Sequence, residues 1–77
     1  MKIRKNSTHI IVYTGAPYGD NEGDHVVSQH QSFEAAKKEY ARRFDGTTGT
    51  LNNDIYTLDA IYPRGGKGQT AREYFSE

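Results

Sequence analysis

The densest run of β-branched and aromatic side chains is Thr8 to Thr14, THIIVYT. Ile10, Ile11, Val12 and Tyr13 follow one another without polar alternation, the mark of a strand covered on both faces and so central in its sheet. Gly15 to Asp24, GAPYGDNEGD, reads as a long acidic hairpin loop. His25 to Gln31, HVVSQHQ, is a shorter, more polar strand that suits an edge. The period then changes: Phe33, Ala36, Tyr40 and Phe44 recur at spacings of three, four and four, one apolar stripe along a helix. Ser32 is placed to cap that helix, with Glu34 in its first turn, Arg42 and Arg43 in its last, and Gly46 at the position after its end. Glu34–Lys38 and Glu39–Arg43 are four apart on the wet side.

Asp45 to Asn53 reads as a loop. From Asp54 to Tyr62, DIYTLDAIY, the period returns to two, with Tyr56, Leu58, Ala60 and Tyr62 on the core face. Pro63 ends that strand, and RGGKGQ follows as a basic glycine loop. Thr70 and Glu73 stand three apart like a capping box, so Ala71 to Phe75 is either a short final helix or a loose tail. These elements predict an α+β domain, β-β-α-β. Its three-stranded sheet has the order 2-1-3, the third strand antiparallel to the first, and the helix lies on one face after a right-handed crossover.

Composition narrows the classes. Seventy-seven residues make one domain, residues 1–77, with 1–7 and 63–77 as its more flexible ends. Ten Lys and Arg balance ten Asp and Glu, which excludes a polyacidic nucleic-acid mimic and a strongly basic chromatin-type protein alike. No apolar run approaches a membrane span or a secretory leader. With no cysteine there are neither disulfides nor thiolate metal sites. The expectation is a soluble, cytoplasmic module without a cofactor and without a membrane partner; so small a core gains from self-association, and a homodimer fits.

The 2-1-3 order also sorts the charges. It gathers Lys2, Arg4, Lys5, Arg64 and Lys67 at the end where strand one starts, strand three stops and the helix begins. That makes either an anion site or an ordinary solvated surface. The acids Asp20, Glu22 and Asp24 fall at the other end.

Catalytic chemistry finds little support. RGGKGQT lacks the spacing of a phosphate loop, and the acidic hairpin lacks the glycine and distal glutamate of a calcium loop. His25 and His30, five apart on a strand, are expected on opposite faces; His9 and His30 oppose each other if Thr14 pairs with His25. Two imidazoles make a poor zinc site. No serine lies in an elbow motif, and no aromatic-basic strand of an RNA-binding module is present. Tyr18, in the acidic loop, and Tyr74, beside Phe75 in the tail, have no core assignment by periodicity. They either anchor an interface or, for the tail pair, fold back onto the open sheet face.

The strand pair, the glycine-rich acidic turn, the helix opening SFEAAKKEY and the closing strand DAIYP resemble small phage or prophage accessory proteins. Within that group the layout over roughly residues 8–62 is similar to some anti-CRISPR proteins. The resemblance implies a non-enzymatic inhibitor that binds a host protein or nucleoprotein complex and blocks access to it. The contact residues expected from the charge and aromatic pattern are Lys2, Arg4, Lys5, Arg64, Lys67, Tyr18 and Tyr74. The alternative is a nucleic-acid-binding accessory module using the same basic end; a small enzyme is the third.

Overall fold

The computed structural model describes residues 2–13, 24–44 and 53–76. Gly15 to Gly23 of the acidic loop, with Tyr18, Asp20 and Glu22, lie outside them, as does Gly46. The elements run β1 (His9–Tyr13), β2 (His25–His30), α1 (Phe33–Phe44), β3 (Asn53–Thr57) and α2 (Ala71–Phe75). The sheet order is β2-β1-β3, with β1 antiparallel to both neighbours, as the patterning predicts.

β1 is central because both its faces are covered: Ile10, Ile11 and Val12 are each fully buried. Ile11 lies on the side of α1, whose buried Ala36 faces the sheet and which touches all three strands. Ile10 and Val12 point the other way, into a cluster with Leu58, Tyr62 and Ala71. Ile3, Val26, Tyr56, Tyr74 and Phe75 close around that cluster. The C-terminal segment therefore forms the second covering layer, and the tail pair folds back onto the open face.

Two local features depart from simple strand reading. Ile11 pairs with Ser28 but Val12 pairs with Val26, so Val27 is an extra residue in β2. This β-bulge offsets the register by one. It sets His9 opposite His30 while Tyr13, not Thr14, pairs with His25. His25 and His30 consequently share a face, against the expectation from their spacing.

The second departure is β3, which stops at Thr57 rather than at Tyr62. Leu58 adds one more bond, its N–H donating to Thr8 O at 2.8 Å, and the chain then turns, with Ala60 N–H on Thr57 O. The reason lies in the partner strand. Continued pairing would need residues 4–7 extended, but Ser7 N–H donates to Arg4 O at 3.1 Å and that segment is itself a turn. Reversal still buries Leu58 and Tyr62, while Ala60 stays exposed. The returning chain makes a hairpin, with an Ile61–Thr70 bridge and Tyr62 N–H on Gln69 O at 2.8 Å. At its tip Gln69 N–H reaches Gly66 O, and Gly68 takes φ +73, a left-handed conformation that favours glycine.

The N-terminal caps of both helices are as the sequence predicts. Ser32 Oγ accepts from Ala35 N–H at 3.1 Å, and Thr70 and Glu73 form a reciprocal capping box on α2. The helical stripe is less regular: Tyr40 is half-buried and donates its hydroxyl to Asn53 O, whereas Phe33 is 47% exposed.

Candidate functional site

The N-terminal segment is tied down from two sides. From β2, Gln29 is 8% exposed and uses its whole amide: Oε1 accepts from Arg4 N–H and Ser7 Oγ, each at 2.9 Å, and Nε2 donates to Lys2 O at 2.6 Å. From α2, the Arg72 guanidinium donates to Ser7 O at 2.6 Å and Arg4 O at 3.3 Å while pairing with Asp59. The Asp59 carboxyl is lowered from its ordinary value, first by that hydrogen bond. The main chain of residues 2–7 is thus fixed, while the Lys2, Arg4 and Lys5 side chains are exposed. None of the three makes an ion pair among the described residues.

Arg64 does not join them. Because β3 turns early, the hairpin carries Arg64 back across the sheet to Asp24, beside His25 at the far end of β2. Its Nε lies 2.9 Å from Asp24 Oδ2, and the Asp24 side chain is only 8% exposed. The guanidinium also donates to the Tyr56 and Tyr62 hydroxyls at 3.0 and 2.9 Å and lies 5.4 and 5.3 Å from their ring centroids. The Tyr62 hydroxyl donates to the same Asp24 oxygen. Burial, reinforced by the carboxylate, raises the Tyr62 phenol well above its usual value, so it stays protonated and donates. Lys67 is exposed at the hairpin tip. The hairpin base, where Arg72 N–H meets Leu58 O, adjoins Ser7, so its length separates Lys67 from the N-terminal cations. Tyr74 is half-buried, its ring 4.8 Å from both Tyr62 and Phe75. Of the cations expected at one end, the structure brings together Lys2, Arg4 and Lys5.

Sequence reasoning missed the residues that hold this surface. Gln29 looked like one more polar strand position, and nothing in the sequence marks it. Arg72 had a partial signal, since the Thr70–Glu73 capping box places it in the first turn of a helix. A third omission is the α1 side of the same sheet end, where the His9 ring packs on Phe33 with centroids 5.7 Å apart. Next to them, Ser28 Oγ and His30 Nε2 share a hydrogen bond of 2.8 Å.

Desolvation by burial lowers the His30 pKa; Glu39 opposes the shift, while Arg43, Arg4 and His9 add to it. Glu39 remains ionised, its carboxyl held at about 2 by hydrogen bonds from Arg42 and Arg43. The unfolded chain therefore binds a proton at His30 more readily than the folded one. Stability should fall as pH drops through the unfolded value near 6.5 and level off below the folded one. Urea titrations at pH 7.5 and pH 5 should show the wild type losing more stability than His30→Gln; equal losses would remove His30 from the acid response.

Among the described residues no three His, Asp or Glu side chains stand close enough to hold a metal ion, and no helix is long and apolar enough to cross a membrane. No protein-family model matches the chain, and no curated protein or solved structure matches it significantly.

Proposed function

We propose that the chain is a non-catalytic binding protein that occludes a surface of a host protein or nucleoprotein complex, in the manner of the phage inhibitors its layout resembles. One observation carries the reading: Lys2, Arg4 and Lys5 stand exposed on a main chain that Gln29 and Arg72 already hold. Fixing a backbone before contact removes much of the ordering cost of association. An anionic partner surface fits three cations in five residues. The proposed setting is the cytoplasm of a host cell, and no cofactor is required.

A pull-down from nuclease-treated host lysate tests this. The wild type should retain a stoichiometric protein partner, and the combined Lys2→Glu, Arg4→Glu and Lys5→Glu variant should lose it with its melting temperature little changed. Those side chains are exposed and make no ion pair among the described residues, and surface changes of this kind stay within about 0.5 kcal/mol each. Recovery of nuclease-sensitive material alone would overturn the reading.

A further inference from the structure

The two edges of the sheet are not equivalent. β3 is guarded: Asp54 Oδ1 accepts from Ile55 N–H at 2.9 Å and the Tyr40 hydroxyl donates to Asn53 O at 3.1 Å. Main-chain groups that an incoming strand would need are already engaged there. β2 lacks such guards. From His25 to His30 it carries no Lys, Arg, Asp, Glu or Pro. Among the described residues its main chain bonds to β1 and to Thr8 N–H, immediately before β1, and to nothing else. The N-terminal segment leaves this edge uncovered, because Gln29 reaches Lys2 and Arg4 with its side chain, on the face where Ile10, its partner in β1, also points. The one feature of β2 that opposes further pairing is the bulge at Val27, which shortens the stretch available.

We propose that β2 pairs antiparallel with β2 of a second copy of the chain, about a two-fold axis near Val27, and so joins the two sheets into one. Closure follows from the inequality of the edges. Adding β2 to β3 would leave a free edge at every step and propagate, whereas β2 on β2 consumes both open edges and leaves the guarded β3 outermost. A strand without charged residues also meets its own copy without setting like charges opposite each other. The direction is set by what adjoins the strand. Next to its His30 end lie Lys2, Arg4 and Lys5, on the main chain that Gln29 holds. Antiparallel pairing puts the two cationic segments at opposite ends of the shared strand pair; parallel pairing would put them side by side, where they repel. The inference is independent of what those cations bind.

Sedimentation equilibrium across a concentration series tests it. One short strand pair buries less than the roughly 1,200 Å² of a standard interface, so a dissociation constant on the order of 100 μM is expected. The apparent mass should rise from one chain toward two and stop there. A mass that stays at one chain up to about 1 mM would overturn the proposal, and so would growth beyond two chains, the sign of an edge contact that does not close. Val27→Lys and Val27→Glu each set like charges across the axis and should each stay at one chain, while their equimolar mixture should associate. A mixture that stays at one chain would remove the proposed axis. Thr57→Lys, on the exposed side of β3, should dimerise like the wild type, and loss of association there would assign the contact to β3 instead. Amide chemical shifts of the wild type, followed against concentration, need no variant to fold. The changes should centre on His25–His30; changes centred on β3 or α1 would overturn the proposal.

Discussion

Tyr62→Ala is expected to lower the unfolding free energy by about 3–5 kcal/mol, the range for truncating a buried aromatic side chain. The Tyr62 side chain is 1% exposed and is the hub of the layer under β1. Its ring meets Tyr56 at 5.0 Å, Tyr74 at 4.8 Å and Phe75 at 5.2 Å. Removing the ring leaves a cavity against Ile10, Val12 and Leu58, and it takes the phenol away from Asp24 and Arg64. A domain of this length has about 4–12 kcal/mol of stability, so much of it would be lost. Tyr62→Phe separates the two contributions. It keeps the packing, removes the donor to Asp24 and leaves Arg64 as the carboxylate's partner, an expected loss of about 1–2 kcal/mol. Urea titration of both variants reads the difference. A loss below about 1.5 kcal/mol for Tyr62→Ala would mean that the C-terminal layer is not integral to the fold.

Gln29→Ala is expected to lose about 2–4 kcal/mol and to free the cationic segment. Three hydrogen bonds go together, each about 1 kcal/mol net, and the fully buried Ser7 loses its acceptor. Gln29→Glu keeps the acceptor for Arg4 and Ser7 but cannot donate to Lys2 O, so it should fall between wild type and alanine. Amide exchange at Arg4 and Ser7 gives a local readout: Arg4 loses its protection in the alanine variant before global unfolding. Partner capture should weaken in parallel, since the exposed side chains are unchanged and only their backbone is loosened. A stability change within about 0.5 kcal/mol would show instead that Ile3 and Arg72 suffice to hold the segment.

The linear pattern carried a large share of the fold. Four consecutive apolar residues in β1 require cover on both faces, which places that strand in the middle, and a polar β2 then belongs at an edge. The Phe33–Ala36–Tyr40 spacing, Ser32 and the Thr70–Glu73 pair determine the two helices because capping and periodicity are local properties, set by residues within one or two turns. The second edge, β3, shows local protection as well: Asp54 Oδ1 accepts from Ile55 N–H, and Tyr40 occupies Asn53 O.

The candidate site was less legible, because a strand's length depends on its partner. Leu58 and Tyr62 share a face in an extended strand and also in a chain that turns at residues 58–60, so the two-residue period over 54–62 does not separate the two shapes. The choice is made by the turn at Arg4–Ser7, which denies β3 anything to pair with beyond Thr8. That non-local condition sends Arg64 to Asp24 and leaves Lys2, Arg4 and Lys5 as the cations gathered at the start of β1. In the same way the extra residue Val27 puts His25 and His30 on one face, a matter of pairing register that spacing alone cannot settle. Periodicity and capping determined the elements and their order; contacts between distant segments decided which charges meet, because they depend on where each strand runs out of partners.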